Sequence, residues 1–231
     1  MPWISAVVLT LFSLSRLCDS KPGYQLVQSN FYVGTEDWTL EGIDSEIKLD
    51  GNNGKLIVSD TRDQVWYFVA PSKFLGDQSA AYGGKLVFTL GHFFFNSDDK
   101  DALDVEEDVV LASTCDWSLS IKVFKKWDMA EEYSVTLSET AGWKDSRTGN
   151  APGLMDFLGM LSNLRSMKIR GGYYRKEEMT NLGNVQLLEG TAWKPCCNAA
   201  NSIDYCAVRC AADPWLKGTK RVRALRVLYR L

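Results

Sequence analysis

Short segments in which apolar and polar residues alternate follow one another along most of the chain, and β-branched and aromatic residues fill many of the apolar positions. Residues 55–59, 64–70, 85–95 and 108–112 have this character, which predicts strands. In 117–124, Trp117, Leu119, Ile121 and Val123 fall on one face, and in 133–139 Tyr133, Val135 and Leu137 do the same. Residues 167–171 and 184–188 complete the set. Turn-forming clusters such as Asp50-Gly-Asn-Asn-Gly54 and Tyr82-Gly-Gly84 separate them. Many short strands with frequent turns predict an all-β fold: an antiparallel β-sandwich of jelly-roll type, over about residues 31–190. One stretch has a different period. Leu154, Phe157, Leu158, Leu161 and Leu164 recur at helical spacing, which predicts a helix near 152–165. Asn150 is its expected N-cap, with Pro152 near the first turn. The stripe is expected to bury against the sheet edge or the sandwich end.

At 231 residues, with 45% hydrophobic and 24% charged, the chain is long enough for one sizeable core. Residues 4–14 form an apolar run too short for a bilayer, which needs about 20. No Lys or Arg precedes that run, but small residues at Cys18 and Ser20 suit the −3 and −1 positions of a cleavage site. Residues 1–20 therefore read as a signal peptide, the mature chain is expected to begin at Lys21, and the product is expected to be secreted and extracellular. No later run approaches 18 apolar residues, so no membrane span is expected. The net charge of −3 provides no overall field for nucleic acid or anionic lipid. Without an Asn-x-Ser/Thr sequon, no N-linked glycan is expected.

Specific motifs sit on this pattern. Val65-Trp-Tyr-Phe-Val-Ala-Pro-Ser-Lys-Phe-Leu-Gly-Asp77 precedes Ala81-Tyr-Gly-Gly-Lys-Leu-Val-Phe88. Glu107-Asp-Val-Val-Leu111, then Glu132-Tyr-Ser-Val-Thr-Leu-Ser-Glu139 with Trp143, follow in order. Asp156-Phe-Leu-Gly-Met-Leu-Ser-Asn-Leu164, Lys168-Ile-Arg-Gly-Gly-Tyr173 and Leu182-Gly-Asn-Val-Gln-Leu187 close the series. Together these resemble the laminin IV type A domain, also called the laminin B domain, across residues 31–190. The resemblance implies a non-enzymatic domain of the extracellular matrix or basement membrane that binds other matrix components. In physical terms, Phe74 and Leu75 read as an apolar plug beside a turn, and Trp66 as core. Gly83 and Gly84 read as permitting a positive φ or a close backbone approach.

Beyond residue 192 the character changes. Residues 190–198 and 205–210 resemble a degenerate start of a laminin-type EGF module, with Cys196-Cys197 where that module has Cys-x-Cys. Domain IV-like residues 21–192 followed by a Cys-rich, basic tail at 193–231 suggest a stand-alone domain. Cys196, Cys197, Cys206 and Cys210 are disulfide candidates, in any of three pairings, and their spacing suits tetrahedral zinc poorly. Cys115 is left as a buried thiol or a crosslink. Lys217, Lys220, Arg221, Arg223, Arg226 and Arg230 lie in a terminal stretch with no acid. Two readings stand for them: a polyanion site or an edge strand blunted by charge.

Catalytic chemistry finds little support. P-loop, GxGxxG and GxSxG patterns are missing. The single histidine, His92, sits among glycine and phenylalanines and reads as a core residue. A jelly-roll glycosidase needs two carboxylates across a cleft; Glu132 and Glu139 alternate off strands, but no spacing singles out a pair. Asp98, Asp99, Asp101 and Asp104 belong to a run of seven acids and one lysine at 98–108. That run is either a solvated loop or a calcium site, and calcium is the only cofactor the sequence suggests. For partners, matrix proteins and glycans compete. An exposed Trp or Tyr on a sheet face would favour glycan, and a flat apolar patch would favour protein.

Overall fold

A computed structural model describes residues 23–61, 64–94, 103, 105, 107–113, 117–123, 131–175 and 177–190. Among them, twelve strands form two six-stranded sheets. The front sheet contains β1 (Gln25–Ser29), β3 (Lys48–Asp50), β4 (Lys55–Asp60), β6 (Lys85–Phe94), β9 (Glu131–Thr136) and β12 (Glu178–Leu188). Its order is β3-β4-β12-β6-β9, with β1 also on β12. The back sheet contains β2 (Thr39–Glu41), β5 (Tyr67–Val69), β7 (Val109–Ser113), β8 (Ser118–Ile121), β10 (Lys144–Asp145) and β11 (Leu164–Arg170). Its order is β10-β8-β7-β11-β5-β2. Every pairing is antiparallel, so the chain is an all-β sandwich.

Strand alternation decides what is buried. Leu56 and Val58 of β4, Leu86, Phe88 and Leu90 of β6, and Leu182, Val185 and Leu187 of β12 are buried. So are Phe68, Leu111, Leu119 and Ile169 of the back sheet. Each such side chain contributes about 1.5–3 kcal/mol relative to leaving it in water. Trp66 is fully buried and lies edge-on to Phe68, with ring centroids 5.0 Å apart. A Cβ at Gly171 would come within 2.1 Å of the Trp66 ring. That explains why the Arg-Gly-Gly-Tyr motif needs glycine there: the indole occupies the space of a side chain.

The helix α1 (Leu154–Ser162) buries Phe157, Leu158, Met160 and Leu161. Two details differ from the sequence expectation. The N-cap is Gly153, whose N–H donates to the Asp156 carboxylate at 3.2 Å, while Asn150 turns back onto Thr148. Leu154 is exposed at the first turn, and Leu164 is buried but begins β11. β1 starts at Gln25, ahead of the expected sandwich range, and β12 starts at Glu178, before the strand expected at 184–188. Both additions carry polar residues that hide alternation, and pairing orders them instead.

Candidate functional site: a polar groove at a strand junction

β12 is longer than any one neighbour on its outer flank. β6 pairs along its other side, whereas β4 takes residues 178–183 and β1 takes 185–188. Lys55 of β4 faces Gly183, and Ser29 of β1 faces Val185, so Asn184 falls at the junction. Against β6, Gly183 pairs with Thr89 and Gln186 with Val87, which inserts one extra residue into β12. Such a bulge kinks the strand and re-aims a side chain. Asn184 adopts φ 45° to make it, a left-handed conformation that asparagine tolerates better than most residues. Gly183 is closely covered: a Cβ there would sit 3.2 Å from Gly54 O, 3.4 Å from Lys55 Cγ and 3.8 Å from Thr89 Cβ. The resulting groove holds about 340 Å3 and is lined by Gln28, Lys55, Thr89, Gly183 and Asn184 from strands. Asn30, Tyr32, Asn53 and Gly54 line it from loops. The volume lies in the range of small-ligand sites.

The loop after β1 is held from below. Phe31 is fully buried and packs edge-on to Trp38, which packs edge-on to Phe74. The Trp38 indole N–H donates to Ser29 Oγ at 2.9 Å. Phe31, Glu36 and Asp37 all have positive φ, at 59°, 53° and 62°; non-glycine residues stay there only when their surroundings over-determine it. Glu36 supplies that constraint. Its Oε1 accepts the N–H groups of Asn30 and Phe31, each at 2.9 Å, and its Oε2 pairs with the Lys73 ammonium. Burial pushes the Glu36 carboxyl up, but Lys73 and the two N–H groups outweigh it and hold it below its ordinary value. With Phe31 plugged inward, Tyr32 turns outward and is 60% exposed at the groove.

Amides set the groove's hydrogen-bonding pattern. Asn184 Oδ1 accepts from Gln28 Nε2 at 2.9 Å and from Gln186 Nε2 at 2.8 Å. Both glutamines direct their amide N–H2 to that one oxygen. Asn184 Nδ2 and both glutamine Oε1 atoms then have no protein partner among the described residues. Asp50, opposite Lys55 in the register, is engaged by Asn53 through Nδ2 at 2.8 Å and N at 3.3 Å. The Lys55 ammonium is left with no ion pair among the described residues. The groove thus offers donors, acceptors, an aromatic face and one cation, which suits noncovalent recognition of a hydroxyl-rich ligand.

Of the residues the sequence singled out for chemistry, His92 is buried as expected. Thr180 donates its hydroxyl proton to Gly171 O at 2.8 Å, so its oxygen accepts from His92 Nδ1–H at 3.0 Å. Glu178 Oε2 lies 3.6 Å from the same ring, and neither side chain reaches solvent. Glu132 is exposed on β9, whereas Glu139 lies past the end of that strand and accepts the Tyr82 hydroxyl at 2.6 Å. Roughly 13 Å of strand separates Glu132 from Thr136, more than the ~5–9 Å that paired glycosidase carboxylates need. Asp98, Asp99, Asp101, Asp104, Cys115, the four tail cysteines, the six basic tail residues and the first twenty residues lie outside the described residues. Sequence reasoning missed the groove. Its one local signal is Gly183-Asn184 inside a strand pattern, which marks a bulge.

No described helix is long and apolar enough to cross a membrane. Residues 67–201 match the family described as Laminin B (Domain IV). The chain is 33% identical over 195 residues to the laminin-like protein lam-2 of Caenorhabditis elegans, covering 78% of this chain and 11% of that protein. It is 29% identical over 174 residues to the laminin subunit gamma-1 of Homo sapiens, covering 70% and 10% respectively. The chain therefore spans about a tenth of the length of these relatives. Among solved structures, the L4b domain of human laminin alpha-2 superposes with a TM-score of 0.53 at 13% identity, over 66% of this chain and 96% of that one. That likeness reproduces the sandwich, and the match over 67–201 places the chain in the laminin B (domain IV) family.

Proposed function

We propose that this domain is a secreted, non-enzymatic recognition module of the extracellular matrix, and that it binds glycan chains through the groove on the outer face of the front sheet. Family membership supports the matrix setting, since the relatives are laminins. The observation that carries the glycan reading is an exposed Tyr32 beside amides with unused hydrogen-bonding capacity. A sugar ring presents hydroxyls that both donate and accept, and an apolar face that stacks on an aromatic ring. A protein partner of ordinary kind would instead find a flat apolar centre with a polar rim.

The test is capture from a matrix extract by the immobilised full chain, with a glycosidase-treated extract run in parallel. Capture is expected to fall after glycosidase treatment and to fall again for Tyr32→Ala. Undiminished capture from the treated extract would move the reading to matrix proteins.

A further inference from the structure

Resting on the glycan reading, we infer that the groove selects an acidic sugar and seats a single carboxylate, such as that of a uronic acid, against Lys55 and Asn184. Among the described residues, Lys55 is the only charged one that lines the groove. Asp50 lies opposite it in the register and keeps its charge, but its oxygens are turned to the Asn53 amide and backbone N–H and make no ion pair with Lys55. The next, Glu36, is engaged by Lys73 and two backbone N–H groups. Glu132 shares the cross-strand row Glu132–Thr89–Gly183–Lys55, but three strand spacings put it roughly 14 Å from Lys55. That exceeds the ~8 Å Debye length at physiological salt.

The donors converge on one place. With no side chain at Gly183, the Lys55 stem, Thr89 and Gly54 O close together over it on the groove floor. Asn184 lines the same groove with its Nδ2 unspent, because its oxygen is committed to Gln28 and Gln186. An ammonium, an amide N–H2 and a hydroxyl around a space with no lining acid make a carboxylate site rather than a site for a neutral hydroxyl. Charge-assisted bonds of this kind are about twice as strong as neutral ones. One cation matches one negative charge per repeat; a densely sulfated chain would call for several. Tyr32, at the same groove, supplies the face on which the sugar ring stacks.

The test is calorimetric titration of the full chain with three probes: a hyaluronan oligosaccharide, the same oligosaccharide with its carboxyls reduced to alcohols, and a heparin oligosaccharide. The wild type is expected to bind the carboxylated form about tenfold more tightly than the reduced form, the size of one charge-assisted hydrogen bond. Only that preference should weaken with added salt. Lys55→Gln should bind both forms equally, at the affinity of the reduced one, and Lys55→Arg should keep the preference. Melting curves of both variants check that they fold. Equal binding of the two forms by the wild type would overturn the acidic selectivity and leave the glycan reading standing. Binding of neither form would remove both. Heparin binding that outlasts Lys55→Gln but disappears when Arg221, Arg223 and Arg226 become Ser would place the anion site in the tail and overturn this one.

Discussion

β12 runs through two polar regions with opposite fates. At its start Glu178 and Thr180 point into the sandwich and meet His92. Five residues after Glu178 the bulge begins at Gly183, and Asn184 lines the groove on the opposite face. The inner region is closed to solvent and densely bonded, although Glu178 Oε2 makes no hydrogen bond among the described residues. Tyr173 packs against the His92 ring at 4.5 Å and beneath the Arg170 guanidinium at 4.4 Å. Arg170 donates to Gly172 O at 2.7 Å and to Val105 O and Leu103 O, each at 3.2 Å, and lies 3.5 Å from Asp108. Burial, then the Asp108 charge, drives the Tyr173 hydroxyl well above its ordinary value, so it stays neutral. The groove has the reverse character: fewer charges, partly exposed, with donors and acceptors unspent. Burial and charge alone would have pointed to the wrong region. What favours the groove as the proposed recognition site is hydrogen-bonding capacity on a partly exposed face, which the fold orients but does not consume.

The strongest way to break this contrast is Arg170→Ala. Removing one partner of a buried ion pair costs about 3–5 kcal/mol, because the other is left uncompensated. Here three carbonyls lose a donor as well. Urea unfolding should show a loss of that size, while the protein that remains folded keeps its glycan affinity. A loss under about 1 kcal/mol would mean the inner region is not the structural element described.

Asn184 separates fold from recognition at a single position. Asn184→Gly retains easy access to φ 45° but removes the amide. It should change stability by less than about 0.5 kcal/mol and weaken oligosaccharide binding severalfold. Asn184→Val places a β-branched residue in the left-handed region and should cost about 1–2 kcal/mol, with binding lost as well. Equal affinity for wild type and Asn184→Gly, measured by titration, would show that the bulge serves only the sheet.

How much of this was legible in the sequence follows from locality. Alternation over 117–124 and 133–139 put Trp117, Leu119, Ile121 and Val123 on one face and Tyr133, Val135 and Leu137 inward; all are buried except Val123, which is partly so. The all-β class and the family motifs needed nothing more. The helix start was misjudged because Asn150 is a good cap by type, yet its side chain is spent on Thr148. β1, β2 and β3 are three to five residues long with few apolar positions, so their order comes from neighbours distant in sequence. The groove was illegible for the same reason. Gln28, Lys55, Thr89 and Asn184 come from four separate strands, and asparagine and glutamine read singly as turn or surface residues. Positive φ at Phe31, Glu36 and Asp37 has no signature in those residue types; it is imposed by the Phe31 plug and the Glu36 carboxylate.

The subtlest test of the contrast concerns Glu36, which touches no ligand but holds the loop that carries Asn30 and Tyr32. Its folded carboxyl titrates below the ordinary glutamate value. A depressed folded value stabilises the loop above the unfolded pKa of about 4.3, and that contribution is lost as pH falls through the folded value. Affinity should therefore be flat from pH 7 to about 5 and decline below about 4. The carboxyl-reduced oligosaccharide is the right ligand, since it has no group that titrates in this range. Asp145 is held low as well, because Arg147 outweighs the effect of its burial, and its protonation would erode stability in the same window. Glu36→Gln isolates the loop. The glutamine oxygen can still accept the two N–H groups but cannot pair with Lys73 as an ion, so affinity at pH 7 should drop only about two- to threefold, the scale of a partly exposed ion pair. The decline below pH 4 should shrink in that variant. A decline as steep in Glu36→Gln as in the wild type would show that global acid unfolding, rather than the loop, sets the pH dependence of the groove.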